Sequence, residues 1–381
     1  MPGDNLYAVA RAVAPGVAAQ LERHREGLAG TSTVAGASRD LQPEPAAIST
    51  LVDAAFWASL KREEGFVPTI SLAYLPPDPS LQPLTFARPL PLDAASLARL
   101  GPAVEQPGIH IGVWWHDERL MAWGTTRHIP PLCFVVEVVA PGHIVLKHRP
   151  RHESRKFVNL AVIEGDTAKV IDERASLMPG CPALLTGLLG GDGDDRMPAT
   201  QVLVELAVSM RSHRRGGTLI VVSSRSDAWL ESMVTPIAYA VEPAFAELSS
   251  LLGQTPNTGH HDGPDALRRT VQSIAGLTAV DGATILSDRY ALLAFGAKIR
   301  RRQGSPQVDQ LLLTEPVVGN VPTRVSPSQL GGTRHLSAAQ FISDQKEGLV
   351  LVASQDGRFT LFAWSPVAQA VHAHRIDVLL V

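Results

Sequence analysis

The stretch VLVELAVSMRSHRRGGTLIVV, residues 202–222, decides the fold class. Val202, Leu203, Leu206 and Met210 fall on one face of a 3.6-residue period. A basic exit and the pair Gly216-Gly217 end that helix, and the apolar run 218–222 then reads as a buried strand. Downstream come a helical stretch at 236–252, strand-like runs at 282–286, 290–295, 348–353 and 359–364, and a short helical stretch at 337–343. Helices alternating with strands predict an α/β layered domain, a mixed central sheet flanked by helices.

Upstream, LLGGDGDDRMPAT at 188–200 combines glycine, acidic turn residues and proline, and predicts the joint between a domain at 1–195 and a second at 199–381. In the first, Val9, Val13, Val17 and Leu21 predict a helix, a polar stretch at 30–45 a loop, and Ile48, Leu51, Val52, Ala55, Phe56 and Leu60 a second helix. The runs PTISLAYL, GIHIGVWW, PLCFVVEVV, GHIVLKH and FVNLAVIEG then predict strands. This half reads as a smaller α+β domain, a small sheet with leading helices.

Composition narrows the classes. A chain of 381 residues suits about two domains. Lys+Arg 34 against Asp+Glu 37, net charge −3, excludes nucleic-acid binding by bulk charge. Hydrophobic residues at 45% exclude a disordered chain. Cys133 and Cys181 stand far apart, with no spacing for a disulfide framework or a structural zinc site. The N-terminus lacks a basic segment followed by an apolar run, and no stretch reaches the ~18 apolar residues of a membrane span, so the expectation is a soluble, cytoplasmic protein.

Two motifs of the second domain carry chemistry: Asp281-Gly282-Ala283 opening a strand, and Gly332-Thr333-Arg334-His335 heading a helix. Taken singly, one is a common turn and the other an ordinary N-cap. Their setting is more specific. The Arg-Arg-Gly-Gly exit at 214–217, the strand at 218–222, Leu248-Ser249 late in the next helix, the two turns, the small pair Ser337-Ala338 and the run 349–354 follow in one order. That series, over about residues 199–366, resembles the catalytic domain of bacterial diadenylate cyclases, the family that includes the DNA-integrity-scanning cyclases and the membrane-tethered cyclases making cyclic di-AMP.

The resemblance implies that the domain binds one ATP and faces a second copy, in a homodimer or higher homo-oligomer, so that two ATP molecules are joined. Asp281, Arg334 and His335 are then the expected catalytic residues. Gly282, Ala283, Gly332, Thr333, Ser337 and Ser354 are expected to bind the nucleotide, and Asp281 to bind Mg2+ or Mn2+. The residue chemistry agrees. Glycine beside Asp281 lets backbone approach a phosphate, and its carboxylate can hold a divalent ion. Gly332 and Thr333 offer N–H groups at a helix N-terminus, Arg334 a charged fork, and His335 a donor or acceptor or merely a prop for the turn.

Three positions depart from the family pattern: Leu336 stands where a second arginine is usual, Val280 precedes the aspartate, and Gln355 replaces a glutamate, with Asp356 adjacent. Leu336 and Gln355 support an alternative, a catalytically degenerate module that binds nucleotide or cyclic dinucleotide; a dimerising scaffold is a third option. The segment 284–331 carries the basic run Lys298, Arg300, Arg301 and Arg302, a solvated surface or a hold on triphosphate.

The first domain resembles sensor domains that precede such cyclase domains in bacterial signalling and defence proteins. Trp114, Trp115 and Trp123, with His110 and His116, form core packing or a ligand pocket. Gly124-Thr125-Thr126-Arg127-His128 echoes the second motif without a DGA partner and reads as coincidence. Lys147, His148, Arg149, Arg151, Arg155 and Lys156 read as an exposed strand end and turn, and His260-His261-Asp262 as a surface loop.

Overall fold

The computed structural model describes residues 6–29, 42–63, 65–150, 156–177, 181–189, 198–253 and 263–381. The chain forms two compact units, Met1–Ile171 and Asp172–Leu380.

In the first unit, α1 (Ala8–Ala29) and α2 (Pro45–Ser59) follow the predicted periodicity, and α2 opens with proline where an N–H has no partner to lose. Then come β1 (Ile70–Tyr74), β2 (Leu84–Pro91), α3 (Ala94–Leu100), β3 (His110–His116), β4 (Arg119–Thr126), β5 (Phe134–Ala140), β6 (His143–His148), β7 (Val158–Glu164) and β8 (Thr167–Val170). Asp93 starts α3 by accepting the N–H groups of Ala95 at 2.9 Å and Ser96 at 2.8 Å. The sheet is larger than expected, eight strands in the order β2-β4-β3-β1-β5-β6-β7-β8. Its helical face is apolar: Val13, Val17, Ile48, Leu51 and Leu97 of the helices pack on Leu72, Ile111, Val113, Val136 and Ile144.

The second unit runs α4 (Ala183–Leu188), α5 (Pro198–Ser212), β9 (Gly217–Val222), β10 (Tyr239–Phe245), α6 (Glu247–Gly253), α7 (Gly263–Leu277), β11 (Ala283–Ser287) and β12 (Leu292–Ala297). It continues with β13 (Leu311–Thr314), β14 (Thr323–Val325), α8 (Thr333–Asp344), β15 (Leu349–Ala353), β16 (Phe359–Ser365) and β17 (Ala370–Arg375). The sheet order is β10-β12-β11-β9-β15-β16-β17-β13-β14. One face packs α8 through Ala338, Phe341 and Ile342 against Ile220, Val350, Val352 and Phe362. The helices α5 and α7, packed on each other, take the other face.

Seven strands of one unit repeat in the other. The order β2-β4-β3-β1-β5-β6-β7 corresponds to β10-β12-β11-β9-β15-β16-β17, with the single parallel pair, β1 with β3 and β9 with β11, at the same place. A helix leads into each first strand and helix crosses between the second and third strands, α3 in one unit and α6–α7 in the other. Only the second unit inserts β13, β14 and α8 between the fourth and fifth strands; the first joins β4 to β5 directly over 127–133.

Three expectations are corrected. The compact units divide between Ile171 and Asp172, not at 188–200. α4 belongs with α5, so closely that a Cβ on Gly187 would lie 2.7 Å from Thr200 Cγ2. The Gly- and Asp-rich residues 190–197 lie outside the described residues. The helix expected at 236–252 is the edge strand β10 followed by the short α6, so Leu248-Ser249 starts a helix instead of ending one. Pro243 inside that stretch opposes a helix and is tolerated at a sheet edge, where its missing N–H breaks no ladder on the open side. Finally, Lys147 and His148 are not an exposed strand end: His148 is buried and the Lys147 side chain is 13% exposed, ion-paired with Glu137. Arg151 and Arg155, like His260-His261-Asp262, lie outside the described residues.

Candidate functional site

Both expected motifs come to one end of the second sheet. β9 and β11 run parallel and begin there, while β12 and β15 run antiparallel to them and end there. This places Gly216, Asp281-Gly282, Lys298 and Ser354-Gln355 side by side, and the N-terminus of α8 joins them. A Cβ on Gly216 would lie 3.1 Å from Arg334 Nη1, 3.3 Å from the Ala353 carbonyl and 3.4 Å from Gln355 Cγ. Arg334 is thus laid against the strand entry.

Asp281 holds its carboxylate in solvent, 88% exposed, and pairs with Lys298. The Lys298 hydrogen bond and charge, with Arg334 adding to them, hold its carboxyl below the usual range. The turn requires glycine: Gly282 has φ +116°, and a Cβ there would lie 2.4 Å from the Gly296 carbonyl carbon. Ala283 is buried as the first residue of β11.

At α8, Gly332 is the N-cap with no side-chain cap hydrogen bond, and Gly332 and Thr333 are exposed. Arg334 and Ser337 are half-buried. His335 does not join this group. It is buried under Gly331, its Nε2 3.5 Å from Thr360 Oγ1 and its ring edge-on to Phe362, and burial lowers its pKa so that it stays neutral. Its geometry is that of a prop under the turn. Ser354 sits in a tight turn, its N–H on the Arg358 carbonyl at 2.8 Å. Leu336 is 41% exposed.

Tyr239 was not singled out from sequence, and Lys298 was read there only within a basic run, as solvated surface or a hold on triphosphate. Lys298 is the first residue past β12, and only the Ala283–Ala297 register brings it to Asp281. Two others of its basic run turn elsewhere: Arg302 pairs with Glu231 at 2.6 Å, and Arg300 Nε donates to the Glu231 carbonyl at 3.2 Å. Tyr239, 51% exposed, stacks on Phe295 at 4.8 Å over Gly296, presenting a flat ring beside the Gly282 turn. The arrangement offers cations for phosphate, a carboxylate for a metal carried by that phosphate, and a face for a planar base.

The tryptophans of the first unit divide between core and rim. Trp123 is buried with its Nε1 donating to the Leu75 carbonyl at 2.8 Å, whereas Trp115 is exposed and donates to the Tyr74 hydroxyl at 2.9 Å.

Residues 37–127 match the family model described as "Probable sensor domain DACNV". The match runs from before α2 to the end of β4, wholly within the first unit. No curated protein matches the chain. Among the described residues no helix is long and apolar enough to cross a membrane.

Proposed function

We propose that the second unit is a nucleotidyltransferase of the diadenylate cyclase kind, condensing two ATP into a cyclic dinucleotide under the control of the sensor-bearing first unit. The observation that carries this reading is the convergence of Asp281-Gly282, Lys298, Gly216 and the Gly332-Thr333-Arg334 helix start at one sheet end. Gly332 and Thr333 turn N–H groups toward phosphate oxygens, and Arg334 and Lys298 supply charge. His335 props the turn into α8 from beneath, and Ser354 closes the neighbouring turn at 354–358. Phosphoryl transfer asks for alignment and charge neutralisation more than covalent chemistry, and this set provides both.

Mg2+ or Mn2+ fits this site as an ion carried in with the triphosphate. No cluster of three acidic, His or Cys ligands exists among the described residues, and such ions are commonly held by one or two carboxylates plus substrate phosphates. Asp281 would hold it, and when bound it supplies neutralisation of charge on the phosphoryl group. Lys298 then exchanges its pairing with Asp281 for one with the phosphates.

The 3′-hydroxyl of one ATP must reach the α-phosphate of another, so the site needs a facing copy. Although the first unit repeats the strand order, its β3 is entered from Pro107-Gly108-Ile109 with no acidic residue, and it has no counterpart of α8. The facing copy is therefore the second unit of another chain. Mixing excess Asp281→Asn protein into wild type tests this: specific activity per wild-type chain falls as mixed pairs form. Activity indifferent to the mutant, in protein shown to exchange subunits, refutes the shared site.

A second reading, a silent nucleotide-binding module, draws on the Lys298–Asp281 pair, which already satisfies the metal-facing carboxylate, and on Leu336 at the arginine position. In that case ATP binds and no product forms.

A further inference from the structure

In the second unit the sheet face opposite α5 and α7 is apolar and sealed by α8. Right-handed crossovers put the helices of both units on equivalent faces, so the first unit's opposite face is the counterpart of the one α8 covers. There the described helices contribute nothing: the small apolar cluster of Ala73, Leu75, Trp123, Ile129, Cys133 and Val135 comes from strands and loops alone. Beside it, five adjacent strands carry a row of polar side chains, His110, Ser71, Glu137, Lys147 and Asn159. Ser71 pairs in register with Glu137, and Lys147 with Val135 and Asn159, so all five share the face.

The row is tightly organised. Ser71 Oγ and His110 Nδ1 are 2.8 Å apart. Lys147 is paired with Glu137, and the Phe157 ring stands 4.7 Å from Lys147 Nζ and 6.2 Å from the imidazole. Ser71, His110 and Asn159 are buried, while the Glu137 carboxylate, 34% exposed, opens the row to solvent. Burial pushes the Lys147 ammonium down to about 8 and, with Lys147 and Arg149 nearby, the His110 imidazole down to about 4. A buried ion pair is no better for stability than the apolar packing that serves the second unit, so its place here calls for another reason.

We propose that this row is a ligand site for a small zwitterion of the α-amino-acid type, its carboxylate meeting Lys147 and its ammonium meeting Glu137. At the pair itself one carboxylate meets one ammonium, beside the His110 imidazole and with Arg149 nearby. A ligand with a single charge would face a like charge at one of the two positions, whereas a zwitterion satisfies both. Empty, the site leaves neither charge unpaired; filled, Phe157 forms an aromatic wall and His110 and Asn159 add polar contacts. The inference rests on the first unit's residues and is read by binding, so it stands apart from the cyclase reading.

The experiment is calorimetry on the full chain with each standard L-α-amino acid at millimolar concentration, beside the corresponding amines and N-acetyl derivatives. At least one amino acid binds saturably, and its single-charge derivatives bind at least tenfold more weakly. Glu137→Gln and Lys147→Met each weaken it at least tenfold while ATP binding is unchanged. Should those variants not fold, wild-type protein serves: with the amino acid present, an amine-acylating reagent at pH 8 modifies Lys147 more slowly relative to exposed Lys61 of the same sample, a ratio that consumption of the reagent by the free amino acid does not move. The proposal is overturned if no amino acid binds, if the derivatives or the variants bind equally well, or if the rate of Lys147 acylation relative to Lys61 is unaffected.

Discussion

Replacing Gly282 by alanine probes the backbone contact on which the candidate site depends. The new Cβ would stand 2.4 Å from the carbonyl carbon, 2.6 Å from the oxygen and 2.8 Å from the Cα of Gly296, all backbone atoms with no rotamer to yield. Positive φ costs about 1–2 kcal/mol for a residue with a Cβ, and prising β11 from β12 adds an overpacking cost of about 1–3 kcal/mol. The sum, about 2–5 kcal/mol, lowers the melting temperature of a unit this size by roughly 4–20 °C. Gly304→Ala is the control: its φ is +81° with nothing within 4 Å of the added Cβ, so only the backbone cost remains, a fall of roughly 2–8 °C. Thermal unfolding by circular dichroism reads both, and ATP calorimetry reads the turn. If Gly282→Ala melts with Gly304→Ala and binds ATP as wild type does, the close-approach argument is wrong.

Leu336→Arg keeps the melting temperature within roughly 2 °C of wild type, because the side chain it replaces is at the surface, 41% exposed; a fall of about 5 °C or more would place Leu336 in the core. Lys298→Ala returns the Asp281 carboxyl toward its ordinary range in a 13C-detected titration, since Lys298 is the main cause of its depression; an unchanged midpoint contradicts the pairing. His372 and His374, stacked at 3.9 Å and each 3.0 Å from Thr314 Oγ1, are held by burial at about 4 and about 3. The unfolded chain binds those protons from about pH 6.5 downward and the folded chain does not, so stability falls as pH drops below 6.5, by up to about 1.4 kcal/mol per pH unit for each group. A urea midpoint unchanged between pH 7 and 5 contradicts this.

Strongly periodic or uninterrupted segments were legible from sequence. α1, α2, α5, β9, β15 and β16 follow runs whose spacing admits one reading, and the α/β class follows from their order. Stretch 236–252 was misread because its alanines and leucines suit a helix, while the edge pairing with β12 that decides it is non-local. The repeated strand order was invisible, since topology is conserved between the units where side-chain pattern is not: the face sealed by α8 in one carries Glu137 and Lys147 in the other. Asp281 and Arg334 stand in turns that the sequence marks as candidates, and the fold brings those turns together. Lys298 was named only within a basic run with two readings, and Tyr239 not at all, because hairpin register and strand pairing bring them to the candidate site.

The most direct test of the central claim is to incubate the purified chain with ATP and Mn2+ and identify the products by mass spectrometry, with Asp281→Asn in parallel. The account predicts a cyclic dinucleotide of two adenylates with pyrophosphate released, and none above background from the variant. ATP recovered unchanged, or product formed equally by Asp281→Asn, would contradict it.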